Sequence, residues 1–330
     1  MDAALDILNL LIKTDPQTVE EPNGDGALQI HIAVGYSKKS LEFCKILISA
    51  FPDSVRVGTN NGALPIHEAC KNDCLETVKY LLELYPESIT MRDQEGYSPL
   101  HRAASNCKEK AGEVIRFLLS RDSTCASMVT ATHTFLPLGL PLHVAGYHLN
   151  LDAVQLLFDA HPEAICVNDG NGRTLLDIAG MPRLRGRGEE NASEVVTFLE
   201  AQMAYVRKAQ DIIAMQTPDD NNRLPLHHAL FNNASLGAIK LLVKGNPLAC
   251  QVSDVNKDSP LHIACRGGNC GAVKYLLERN TSQVSEQNVG NKLPIHLLCE
   301  SGQDIVDRES PEFVETIWHL LKAHHETVLI

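Results

Sequence analysis

The tetrapeptide Leu64-Pro65-Ile66-His67 returns along the chain at a nearly constant interval. Close copies are Ser98-Pro99-Leu100-His101, Leu140-Pro141-Leu142-His143, Leu224-Pro225-Leu226-His227, Ser259-Pro260-Leu261-His262 and Leu293-Pro294-Ile295-His296. Leu28-Gln29-Ile30-His31 lacks the proline, and Thr174-Leu175-Leu176-Asp177 lacks both proline and histidine. Successive motif ends lie 36, 34, 42, 34, 50, 35 and 34 residues apart. A period near 34 predicts a stack of small, alike units, each touching only its neighbours, and such an array points to binding before chemistry. The period overrides the length prior, by which 330 residues suggest about two globular domains. One elongated solenoid over 1–330 is expected instead.

Each unit reads as a helix pair. Proline suits the first helical turn because its missing N–H has no intrahelical partner there, and it forces the preceding residue into an extended entry. Two residues past the histidine stands Ala33, Ala69, Ala103, Ala145, Ala229 or Ala264, small enough for close helix approach. About ten residues later an apolar run with helical spacing follows, as in Val78, Leu81 and Leu82 or Val273, Leu276 and Leu277. Pro52, Pro86, Pro162 and Pro247 are expected to end that second helix, and Asn/Asp/Gly-rich turns such as Asn60-Asn61-Gly62 follow.

With Asp93-Gln94-Glu95-Gly96-Tyr97-Ser98-Pro99-Leu100-His101-Arg102-Ala103 on the page, the unit resembles the ankyrin repeat, whose signature is Asp-x-x-Gly-x-Thr-Pro-Leu-His-x-Ala. Residues 254–264 fit nearly as well, with Lys257 at the family's Gly. The resemblance covers essentially the whole chain. It implies an all-α solenoid of helix-turn-helix units with projecting hairpin-like loops, a structural histidine that ties loop to helix, and no catalytic activity. The expected units are a half-repeat at 1–20, then repeats at about 23–57, 58–91, 92–129, 130–167, 168–216 with an insertion at 180–192, 217–252, 253–286 and 287–330. The fifth unit is expected to be the least regular. The capping Thr of the family survives as Thr174, Ser98 and Ser259, whereas Leu64, Leu140, Leu224 and Leu293 lack a side-chain cap, at an expected cost of about 0.5–2 kcal/mol each. Opening on a half-repeat leaves two readings, a segment of a longer protein or an end cap of unusual type.

Composition excludes other classes. The net charge of −12, from 41 acidic and 29 basic residues, disfavours nucleic acid and anionic membrane and favours a basic partner. No stretch approaches the ~18 apolar residues that span a bilayer. The first twelve residues carry no secretory signal, so the ten cysteines are expected to be reduced thiols in the cytoplasm, with the nucleus as alternative, and the Asn-x-Ser sequons at Asn191, Asn233 and Asn280 to be chance.

Cys70, Cys265 and Cys299 follow His67, His262 and His296 by three residues, a spacing that puts two side chains on one helix face. Other units carry Ala104 or Gly146 there, which reads as a small core position, and histidines of successive units sit about 10 Å apart, too far to share zinc. No metal, cofactor, small-molecule substrate or catalytic residue is expected. No phosphate loop or nucleophile motif is present.

Two insertions break the beat. One carries Arg183, Arg185 and Arg187, then a helix over about 193–215 roughly two turns longer than its counterparts. Those arginines suit an anionic contact, and a solvated loop is the alternative. The other, Thr130 to Leu138, holds Phe135, Leu136 and Leu138, a contact site if exposed and a plug if folded back.

The expected function is protein–protein recognition on a concave surface of loops and inner helices, with a regulatory or targeting segment of a larger enzyme or membrane protein as the alternative. In the resembled family, contacts fall just before the motif and four to five residues after its histidine. That implies Asn60, Asn61, Lys71, Asn72, Gln94, Glu95, Tyr97, Ser105, Asn106, Tyr147, His148, Asn171, Arg173, Asp220, Asn221, Arg223, Phe231, Asn232, Asn256, Asp258 and Arg266, with the aromatics and arginines as the strongest anchors.

Overall fold

The computed structural model describes residues 2–35, 41–72, 74–106, 111–181, 189–210, 217–301 and 310–328. They form two compact units, Met1–Leu199 and Glu200–Ile330. The described residues hold α-helices and short 3-10 helices and no strand, so the fold is all-α.

In the first unit the inner helices are α2 (Gln29–Gly35), α4 (Pro65–Lys71), α6 (Pro99–Ala104), α8 (Pro141–His148) and α10 (Leu175–Ala179). The outer helices are α1 (Asp2–Thr14), α3 (Leu41–Ala50), α5 (Leu75–Leu84), α7 (Ala111–Arg121), α9 (Leu151–Ala160) and α11 (Glu189–Gln210), whose last turns belong to the second unit. The second unit continues with inner α12 (Pro225–Phe231), α14 (Pro260–Arg266) and α16 (Pro294–Ser301), and outer α13 (Leu236–Gly245), α15 (Cys270–Arg279) and α17 (Pro311–Val328). Every motif proline begins an inner helix, as its chemistry predicts. The alanines two residues past the histidines are buried, and the outer helices bury one apolar row, including Leu81, Leu118 and Leu157, or Leu242 and Leu276. Helix α1 followed by the 3-10 turn Pro16–Val19 has the same order as α3 followed by Pro52–Arg56.

Pro52, Pro86, Pro162 and Pro247 do not terminate the outer helices directly. The residue before each breaks the helix (Phe51 at φ −138°, Tyr85 at φ −143°), and the proline then opens a five-residue 3-10 helix. Proline's fixed φ suits that first position.

The leucine-capped helices lose less than their sequence predicts. Ser98 and Thr174 accept from the N–H three residues on, through Oγ at 3.5 Å and Oγ1 at 3.2 Å. At Leu64, Leu140 and Leu224 that N–H instead donates to the leucine carbonyl, at 2.9 Å in each case. A tightened first turn satisfies the donor, so no orphan remains to carry the full capping penalty.

Between units the chain makes a tight loop whose anchor stands eight residues before the motif histidine. Asp93 Oδ1 accepts from the N–H groups of Glu95 (3.0 Å) and Tyr97 (2.9 Å), and Asp169, Asp219, Asp254, Asn23 and Asn288 do the same in their loops. The fourth loop residue is left-handed. Gly96 adopts φ +77°, and a Cβ there would lie 2.4 Å from Ala131 N, so only glycine fits. Loop tips join their neighbours by single backbone bonds, Gln94 N–H to Asn61 O (2.9 Å) and Ala131 N–H to Glu95 O (3.0 Å) in the first unit. Val255 N–H to Asn221 O (3.0 Å) and Val289 N–H to Asn256 O (2.9 Å) do so in the second. The expected hairpin-like loops are therefore linked turns without strand ladders among the described residues.

Lys257 occupies the glycine position with φ +56°. Left-handed geometry costs a side-chain residue about 1–2 kcal/mol, and the added unfolded-state freedom of glycine returns about half of that. Lys257→Gly is expected to raise stability by about 0.5–1 kcal/mol, read as a higher urea midpoint at unchanged slope. An unchanged or lower midpoint contradicts it.

The 130–138 insertion is both plug and protrusion. Leu136 is buried, while Phe135 and Leu138 are exposed. Thr130 stands in for the loop anchor: its hydroxyl donates to the Leu136 carbonyl and accepts from Gly139 N–H at 2.9 Å. The fifth unit keeps only a five-residue inner helix, followed by the 22-residue α11, which begins at Glu189 rather than near 193. Val195 and Leu199 of α11 are buried, as their spacing predicts. Arg183, Arg185 and Arg187 lie outside the described residues.

Candidate interaction face

The number of motif histidines invites a metal, but six of the seven are braces, and His296 is exposed with Nδ1 accepting from the Leu293 N–H at 3.0 Å. In His67, Nδ1 accepts from the Leu64 N–H (3.1 Å) and Nε2 sits 3.2 Å from Met91 O at the next loop. His31, His101, His143, His227 and His262 repeat the pair, reaching Ala63 O, Gly139 O, Val167 O, Val252 O and Lys292 O at 2.8–3.2 Å. An Nδ1 that accepts from a backbone N–H assigns the proton to Nε2, which donates to the carbonyl. Both ring nitrogens are thus spent on the backbone. Burial lowers the pKa of all six, and takes His101 down to about 3.

Asp177 reproduces half of this brace. Its carboxylate accepts from Thr174 N–H (2.8 Å) and Oγ1–H (2.7 Å), but a carboxylate has no proton with which to reach an onward carbonyl. Cys70 and Cys265 are fully buried and burial pushes their thiols up, so neither offers a thiolate. Among the described residues no three His, Cys, Asp or Glu side chains converge as metal ligands.

Loop tips and the ends of inner helices make one kind of surface. A pairing rule organises it: the residue leaving the loop meets the one eight positions on, a helical turn past the histidine. Arg223 stacks on Phe231 at 4.4 Å, Asp258 pairs with Arg266 at 2.7 Å, Lys292 with Glu300 at 2.7 Å, and Arg173 Nη1 lies 3.7 Å from Met181 Sδ. The arginines are further engaged with the buried loop anchors. Arg173 Nε donates to Asp169 (2.7 Å), Arg223 pairs with Asp254 (3.2 Å), and Arg102 Nε donates to Asp93 (3.1 Å) while its guanidinium stacks on Tyr97 (4.6 Å). At Asp169 burial works to raise the pKa, but the Arg173 guanidinium and the N–H groups of Arg173 and Asn171 outweigh it and hold the carboxyl below its usual value.

In the first unit one aromatic group stands out from this self-paired surface. Phe135 lies 4.9 Å from Tyr147, Tyr147 meets His148 edge to face, and Arg173 stacks on Phe135 at 5.5 Å while donating to its carbonyl at 2.8 Å. At the first loop Ala27 occupies the loop-exit position, and it borders a groove of about 800 Å³ together with Asp25, Asn60, Asn61, Glu68, Lys71 and Asn72. Gln94, Glu95, Asp220, Asn221 and Phe231 are exposed, whereas Asn106 and Asp258 are buried. Asn106 offers its carbonyl to Asn150, and Asp258 holds Arg266 and Asn288. Both are therefore committed inside rather than facing a partner. Arg102 and Asp93 escaped the sequence reading of the face, although the constant eight-residue offset from anchor to histidine marks Asp93.

No described helix is long and apolar enough to cross a membrane. Comparison with curated proteins gives no match. A family model described as "Ankyrin repeats (3 copies)" matches residues 2–93, 30–131, 189–288 and 226–308. These intervals span most of the sequence and leave out 132–188, where the aromatic loop and the interrupted unit lie, and 309–330. The chain belongs to the ankyrin-repeat family.

Proposed function

We propose that the chain is a non-catalytic interaction module, a scaffold or adaptor that binds another protein across its loop tips and inner-helix ends. Ankyrin repeats are in general protein–protein interaction modules. The supporting observation is Phe135: an exposed ring on a loop fixed by the buried Leu136, by Thr130 and by Arg173, backed by Tyr147. A pre-ordered aromatic gives up little entropy on contact and suits the centre of an interface. Affinity capture with the intact chain and with a Phe135→Ala/Tyr147→Ala double variant tests this. A protein retained by the first and lost or weakened at least tenfold with the second is expected, whereas identical capture by both contradicts the reading.

Partner charge follows from the acidic balance of −12 and from the exposed Glu95 and Asp220. Reversing each to Lys is expected to weaken a basic partner about 2–5-fold, and to flatten the salt dependence of binding. Unchanged affinity and salt slope rule out the acidic-surface part of the proposal.

A further inference from the structure

The repeats do not all fill their own loop faces. In the third loop the Arg102 guanidinium takes the space beside the tip. It donates from Nε to the anchor Asp93 (3.1 Å), pairs with the tip residue Glu95 at 3.3 Å and stacks on the loop-exit Tyr97 at 4.6 Å. The corresponding residues of the first loop are Asn23, Asp25, Ala27 and Ile32. The tip carboxylate is kept there, while the guanidinium and the ring are both missing. In their place lies the groove of about 800 Å³, bordered across from the first loop by Thr59, Asn60, Glu68 and Asn72 of the second repeat.

The lining is rich in acceptors. Asp25 is exposed and Glu68 half-buried, and neither carboxylate pairs with a described side chain. The Glu68 charge reaches His31 on the neighbouring inner helix, whose protonated form it favours. Asn60 and Asn72 donate through Nδ2 to Gly24 O (3.0 Å) and Glu68 O (2.9 Å), and both amide oxygens remain as acceptors. Lys71 is the one lysine or arginine among the described lining residues. It is exposed and forms no ion pair with Glu68 three residues before it, although Glu42 with Lys45 and Glu76 with Lys79 do pair at that spacing. Two carboxylates against one ammonium leave the groove negative.

Such a lining suits an occupant with a positive charge, many donors and no acceptor, and a guanidinium carries five N–H donors in one plane. The chain shows the same chemistry on itself. Arg102, Arg173, Arg223 and Arg266 sit on the loop carboxylates of Asp93, Asp169, Asp254 and Asp258.

We propose that the groove between the first two repeats takes an arginine side chain of the partner protein, with Asp25 and Glu68 holding its guanidinium and Ile32 packing against its stem. This rests on the loop and inner-helix surface being the interaction face, and it adds the chemistry recognised there.

Titration of the full chain with the blocked pentapeptide acetyl-Gly-Ser-Arg-Ser-Gly-amide, followed through the ¹⁵N–¹H shifts of the Asn60, Asn61 and Asn72 side-chain amides, tests it. Weak, saturable binding at the groove is expected. Citrulline in place of the arginine, which keeps the shape and removes the charge, is expected to abolish binding, and lysine to weaken it about 3–10-fold. Glu68→Gln and Asp25→Asn are each expected to weaken the arginine peptide about 3–10-fold, whereas Lys71→Gln, which removes a competing cation, tightens it about twofold. Equal affinity for the arginine and citrulline peptides overturns the proposal. So does the absence of saturable shifts at these amides, or a Glu68→Gln chain that binds like the parent. Affinity capture gives a separate answer: a partner retained through Phe135 and indifferent to Glu68→Gln removes the arginine site and leaves the interaction module standing.

Discussion

Lowering the pH from 7 to 5 is expected to destabilise the array by several kcal/mol, well before its carboxylates titrate. The sign follows from the braces. In the unfolded chain a histidine takes up its proton near 6.5, whereas burial lowers the native pKa of His31, His67, His101, His143, His227 and His262. The native state thus binds fewer protons, and stability is complete above about 6.5 and falls as the pH drops through that value. For His101, with its pKa near 3, the loss at pH 5 is about 2 kcal/mol, and the other five add in the same direction. Asp169 and Asp122, whose pKa values are lowered, contribute stability that is lost only below about pH 4. Relief of repulsion in a chain of charge −12 works the opposite way. A fall in the urea midpoint between pH 7 and 5 therefore isolates the histidines. A flat or rising midpoint over that window contradicts the burial of the braces in their neutral form.

The second large effect is expected at Phe158. It is fully buried on α9 and meets Phe198 of α11 edge to face at 6.1 Å. Among the described residues it is the largest of the fully buried side chains. Phe158→Ala removes the ring from water-excluded packing and leaves a cavity next to the repeat that lacks both proline and histidine, where relaxation is opposed by the buried Val195 and Leu199. The expected loss is about 3–5 kcal/mol. Phe231→Ala, at a ring 39% exposed and stacked on Arg223, is expected to cost under about 1 kcal/mol. Paired urea melts check the ratio, and equal losses at the two sites contradict the assignment of core and face.

Those two phenylalanines also show what the sequence could and could not reveal. Proline at the first turn and alanine two residues past the histidine dictate where inner helices begin and how closely they pack, because both act through local sterics. Helices starting at Pro65, Pro99, Pro141, Pro225, Pro260 and Pro294 were legible for that reason. The expected loss of caps at the leucine positions was less so, since a backbone carbonyl replaced the missing hydroxyl, and backbone groups are the same in every residue. On the loop and inner-helix surface, Tyr97 and Arg102, Arg173 and Phe135, and Arg223 and Phe231 engage one another. Their mutual engagement depends on side chains of loop and helix meeting in space, a geometry with no local signature. The burial of Asn106 and Asp258 has the same origin: position in a motif fixes the backbone, and the neighbour's side chain decides access. Phe135 needed the fold outright, because the identical insertion with Phe135 inward and Leu136 outward satisfies the same sequence pattern.

Neutral histidines tie the array together, each binding one backbone group within its repeat and another at the next loop. Imidazole ¹⁵N chemical shifts, recorded on the full chain at pH 5 under native conditions, measure this directly. The predicted result for His101 is a neutral ring with its proton on Nε2 and Nδ1 bare, unchanged from pH 7. A His101 ring that is protonated at pH 5, or neutral with the proton on Nδ1, contradicts it.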